Sequence, residues 1–103
     1  MLQSDFLAFA GELFMMPTAQ IREKCRLRRY VRARHAVAYA LRHRRLAGCI
    51  PMSYPRIAQY LSWRDHTTAI NAVRCAAETM ERDALYACKV RALIAYTPPQ
   101  VIL

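Results

Sequence analysis

The run Arg64-Asp65-His66-Thr67-Thr68 stands directly ahead of an apolar series, Ala69, Ile70, Val73, Ala77 and Met80. From Ile70 onward the spacings of that series are 3, 4 and 3, the period of one helix face. Asp65 is placed to cap such a helix, because its short carboxylate accepts from a backbone N–H two or three residues on. Five consecutive polar side chains at a helix start suit neither a core nor a generic surface. They suit a tip that reads hydrogen-bonding edges. Upstream, Ser53 is a candidate cap for a short helix from Tyr54 to Leu61. Pro55 falls in its first turn, where proline is tolerated. A short helix, a turn at Ser62-Trp63-Arg64 and a longer helix form the helix-turn-helix layout, in which the second helix offers its N-terminus to a major groove.

Two segments, Ser53-Tyr54-Pro55-Arg56-Ile57-Ala58 and Arg64-Asp65-His66-Thr67-Thr68-Ala69-Ile70-Asn71-Ala72, carry a resemblance. They resemble the signature of the C-terminal DNA-binding domain of the bacterial replication initiator DnaA. The likeness continues upstream without gaps from about Ala10 to Arg42 and, more weakly, downstream to about Ile94. It implies an all-α fold, a six-helix domain with an embedded helix-turn-helix of the Trp-repressor-like kind, occupying residues 1–103 as one unit.

The resemblance also implies roles for particular residues. Arg26 matches an arginine that enters the minor groove, and Asp65, His66 and Thr67 match the readers of the major groove. Their chemistry suits base reading. A carboxylate accepts from a cytosine amino group, an imidazole bonds a base acceptor, and a threonine methyl packs on a thymine methyl. Arg34, His35, Arg42, Arg64 and Thr68 match positions near backbone phosphates, and Arg28 belongs to the same basic segment. The amides at Tyr54 and Pro55 match a helix-N-terminal phosphate contact. Asn71 stands where the family has a phosphate-facing histidine. Ser62-Trp63 replaces two glycines, so the turn must be made without positive φ or with strain. Trp63 has two readings, packing inward or stacking on a sugar or partner.

The charge is lopsided. The protein has 103 residues and a formal net charge of +9, and 14 of its 16 basic residues are arginine. Between Arg22 and Arg45 stand ten basic residues against Glu23 alone, a net charge equal to the whole formal excess. Solvated faces usually mix signs, and a single-signed run is costly unless an anion visits it. Arginine favours bidentate phosphate and guanine contacts. Double-stranded DNA is therefore the expected partner, and a nucleoid-associated cytoplasmic protein the expected setting.

Taken in order, a helix is expected from about Ser4 to Met15, capped by Ser4 and bearing Phe6, Leu7, Phe9, Ala10, Leu13 and Phe14. Its wide apolar stripe reads either as core or as a face for a homodimer or protein partner. Thr18 then caps a short helix through Ile21. Arg26 to Arg29 is expected as an arm before a helix from Tyr30 to Ala47, stopped by Gly48. A final helix, Ala84 to Ala95, bears Leu85, Val90, Leu93 and Ile94 as expected core, ahead of Thr97-Pro98-Pro99 and an apolar tail.

Other functions find little support. The two glycines, Gly11 and Gly48, cannot make a glycine-rich phosphate loop, so no nucleotide site and no cofactor are expected. The seven acids are scattered, Cys25, Cys49, Cys75 and Cys88 make no C-x-x-C pair, and no histidine stands at zinc spacing. Neither catalysis nor a metal site is expected, and the cysteines read as small apolar residues of a reduced protein. The first six residues lack a signal peptide's basic start, and no apolar run approaches the ~20 residues that span a bilayer. No membrane role is expected. The alternative to DNA reading is a protein-interaction module that engages a replication or transcription partner.

Overall fold

The computed structural model describes residues 2–22, 27–44 and 51–96. Among these it forms six helices and no strand: α1 (Leu2–Phe14), α2 (Thr18–Arg22), α3 (Arg28–His43), α4 (Tyr54–Tyr60), α5 (His66–Arg82) and α6 (Ala84–Ala95). None of the described helices is long and apolar enough to cross a membrane.

At the centre lies α3, whose buried face is Ala33, Ala36, Val37, Ala38, Ala40 and Leu41. Alanines present little bulk, so α5 can bring its own small residues, Ala69, Ala72, Val73 and Ala76, against that face. Ile21, Ile57, Leu61, Val90 and Leu93 fill the remaining space and are fully buried. Helix α5 thus packs on α3 with a buried face made mostly of alanine.

Helix ends follow local chemistry. Helix α1 closes with Met16 N–H donating to Gly11 O at 2.9 Å and Met15 N–H to Glu12 O at 3.3 Å, with Met15 left-handed at φ 56°. This is a Schellman closure. Gly11 is required by the close approach, since a Cβ there would meet the Met16 carbonyl oxygen at 2.8 Å. Asp83 ends α5 and starts α6, accepting from Tyr86 N–H at 3.0 Å and pairing with Arg32 at 2.7 Å. Tyr86 O–H in turn donates to Arg32 O at 2.8 Å. Arg44 donates to Leu93 O and Tyr96 O at 2.9 and 3.0 Å, satisfying carbonyls at the C-terminal end of α6.

Several expectations need correction. Helix α1 begins at Leu2, so Ser4 lies inside it, and Thr18 is the first residue of α2 with Pro17 ahead of it. Helix α3 begins at Arg28, which places Arg28 and Arg29 in its first turn rather than in an arm, and it ends at His43. Ile70 and Leu85 are not core: they are 40% and 67% exposed. The apolar stripe of α1 is taken up within the fold. Phe6, Leu7 and Ala10 are buried, Phe9 stacks on Tyr96 at 4.8 Å, and Phe14 meets Tyr86 edge-on at 5.9 Å. The expected stop at Gly48, the cysteines Cys25 and Cys49 and the tail after Tyr96 lie outside the described residues. Cys75 and Cys88 are free thiols.

Candidate nucleic-acid interface

The turn between α4 and α5 sets the interface. Leu61 caps α4, Ser62 N–H donates to Gln59 O at 3.2 Å and Trp63 N–H to Ala58 O at 2.7 Å. Ser62 adopts φ 61°, so a non-glycine residue occupies the left-handed position that a Schellman closure demands. The strained option is therefore the one realised. Trp63 follows at the position where such closures carry an apolar contact back onto the helix. It is half-buried and packs against the core.

Downstream, the whole run Arg64 to Thr68 is exposed. Asp65 caps α5, its Oδ1 accepting from Thr67 N–H at 3.0 Å. His66 Nδ1 lies 3.3 Å from the same Oδ1. The Thr67 backbone N–H holds the Asp65 carboxyl below its usual range; desolvation opposes it, and the Thr67 hydroxyl and His66 add smaller lowering effects. Asp65 is thus an anion at neutral pH, and both of these contacts use one oxygen.

On α5, Thr68, Asn71, Cys75 and Thr79 are spaced 3, 4 and 4 apart, which aligns them on one flank. That flank leads from the tip to a cleft of about 480 Å³ lined by Arg28, Val31, Arg32, His35, Cys75, Thr79, Arg82 and Asp83. Three guanidinium groups and one carboxylate give this cleft a positive balance. Burial, and secondarily the Arg34 charge, lowers His35 below its usual value of 6.5, so its imidazole is neutral at pH 7. Asn71 accepts a short hydrogen bond from Arg74.

A second corner joins the end of α3 to the start of α4. Ser53 Oγ caps α4 by accepting from Arg56 N–H at 3.4 Å, and Pro55 is exposed in its first turn. The Arg42 guanidinium lies over the Tyr54 ring, 4.6 Å from its centroid, and donates to Met52 O at 3.2 Å. Arg42, Tyr54 and Pro55 are therefore brought together.

The residues expected at the interface fall into separate groups. Arg28, Arg64, Asp65, His66, Thr67, Thr68 and Asn71 are exposed, while His35, Arg42 and Tyr54 are half-buried beside the cleft or the α4 corner. Arg34 is 6% exposed on the buried face of α3, which corrects the expectation that it reaches a phosphate. Arg26 lies outside the described residues. Sequence reasoning missed Arg82 and Arg32 in the cleft. Both stand near Asp83; Arg32 was counted in the basic run without being singled out, and for Arg82 the polar stretch Glu81-Arg82-Asp83 gave no spacing that could fold it back toward α3.

A capped second helix, an exposed polar tip and a basic helix packed alongside define a helix-turn-helix domain of the DNA-binding class. The chain matches the bacterial DnaA protein helix-turn-helix family over residues 8–75 and belongs to it. The match runs from within α1 through α2, α3 and α4 into α5, ending at Cys75 and stopping short of α6.

Proposed function

We propose that the protein reads double-stranded DNA sequence-specifically, at sites related to the DnaA box, in the regulation of replication initiation or transcription. The observation that carries this reading is the exposure of Arg64 to Thr68 at the start of a helix whose other face packs into the fold against α3. Asp65, His66 and Thr67 contact bases in the major groove, and Arg26 enters the minor groove. With His66 Nδ1 turned toward Asp65, Nε2 is left to meet a base edge. Phosphates are held by Arg64, Thr68 and Asn71 beside the tip, by Arg28 and His35 at the cleft, and by Arg42 with Tyr54 and Pro55 at the α4 corner.

Binding needs no nucleotide, and one protein occupies one asymmetric box, in competition with a full-length initiator. The internal use of the α1 stripe favours this reading over a protein-interaction module, since Phe6, Leu7 and Ala10 are not available to a partner. Selection from randomised duplexes, followed by footprinting on a single recovered site, tests the proposal. A single protected site with 1:1 stoichiometry, unchanged by ATP, is expected. Recovery of no common sequence, or a strict need for two spaced sites, would contradict it.

A further inference from the structure

Helix α5 carries a large apolar residue that lies outside its buried face. Its core face is Ala69, Ala72, Val73 and Ala76, whereas Ile70 is 40% exposed. A single exposed apolar side chain is ordinary on a protein surface, so exposure alone decides nothing. Position decides more. Ile70 lies four residues after His66 and three after Thr67, and Asn71 and Arg74 continue the series. Thr67, Ile70, Asn71 and Arg74 are spaced i, i+3, i+4 and i+7, the spacing at which a recognition helix lying in a major groove presents its base-contacting side chains. All four are exposed. Nor does local propensity call for isoleucine, since a β-branched side chain is a weaker helix former than alanine or leucine. Neither burial nor helix formation accounts for it.

We propose that Ile70 is a specificity-determining residue that packs on the 5-methyl group of a thymine, one helical turn beyond the polar readers. This rests on the DNA-reading proposal and deepens it. The thymine methyl is the one apolar feature of a major-groove edge, and a branched aliphatic side chain recognises it by excluding water. Asn71 accepts from Arg74 through Oδ1, which leaves its amide NH2 for the phosphate contact proposed above and Ile70 as the apolar member of the series. The tip then reads in two chemistries: hydrogen bonds at Asp65 and His66, methyl contacts at Thr67 and Ile70.

The test replaces each thymine of a selected duplex, one at a time, by deoxyuridine, which lacks only the methyl. Wild-type protein is expected to lose about three- to fourfold in affinity at the thymine Ile70 touches, the worth of one buried methyl. Ile70→Ala should bind the thymine and uracil duplexes equally at that position and keep the loss at any thymine touched by Thr67. Thr67→Ser, which keeps the hydroxyl and drops the methyl, should show the reverse pattern. Ile70→Val should retain most of the discrimination. Because Ile70 lies outside the buried face of α5, Ile70→Ala should still fold, and its thermal melt separates a reading defect from a folding one. If Ile70→Ala keeps the full loss at every thymine, or if no thymine is sensitive in the wild type, the assignment of Ile70 is overturned while DNA reading stands. If wild-type protein selects no duplex at all, the parent reading falls and the inference falls with it.

Discussion

Ser62, His35 and Arg34 each show how one residue's surroundings override its type. Ser62 holds φ 61°, where an L-residue pays about 1–2 kcal/mol relative to glycine. Ser62→Gly is therefore expected to stabilise the domain by about 0.5–1 kcal/mol, the gain being trimmed by glycine's freedom in the unfolded chain. Chemical denaturation checks this, and DNA affinity should not change. His35 has its pKa lowered by burial and by Arg34. The unfolded chain then takes up the proton first, so the contribution is complete above pH 6.5 and is lost as the pH falls below 6.5 toward the folded value. Arg28, Arg32, Arg34 and Arg82 all stand near it against Asp83 alone, which works in the same direction. Melting temperature is expected to decline on acidification from 6.5, and His35→Gln to flatten that slope. Asp65 behaves likewise at lower pH: its depressed carboxyl supports the cap above its usual value of 3.8 and ceases to as pH falls further.

Among the helices, α3 divides its arginines between holding the fold and meeting DNA. Arg34 is buried and Arg32 pairs with Asp83, so these help to hold the domain together, while Arg42, over the Tyr54 ring, stands at the α4 corner proposed to meet a phosphate. Arg28 is exposed at the mouth of the cleft. Arg34→Ala is expected to cost about 1–3 kcal/mol of stability through lost hydrogen bonds of a buried group, and the folded fraction should keep its salt dependence. Arg28→Ala should leave stability unchanged and reduce the slope of log affinity against log salt by about one. Salt titrations paired with thermal melts distinguish the two. How far the sequence foretold these elements depended on the signal. Caps were legible at Ser53 and Asp65, since short acceptors ahead of a periodic run act locally. The faces of α5 and α6 were harder. The seat of α5 is built from Ala69, Ala72 and Ala76, which carry little hydrophobic weight, so the larger Ile70 and Leu85 drew the stripe away from the true core. The arginine run could be counted, but no count distinguishes a guanidinium on an aromatic ring from one in water.

For the domain as a whole, α3 and α5 pack on each other, so on the proposed reading phosphate contacts along the cleft would fix where the tip enters the groove. On the same proposed reading, charge supplies attraction to any duplex, and Asp65, His66, Thr67 and Ile70 supply the choice between duplexes. The central claim is that choice. It is tested most directly by measuring affinity for a selected duplex and for a scrambled one of equal length at two salt concentrations, with wild-type protein and His66→Ala. Wild-type protein is expected to prefer the selected duplex by about 10³-fold or more. His66→Ala should remove about 1–3 kcal/mol of that preference and leave the scrambled duplex bound as before. Equal wild-type affinity for both duplexes at each salt concentration would contradict the account.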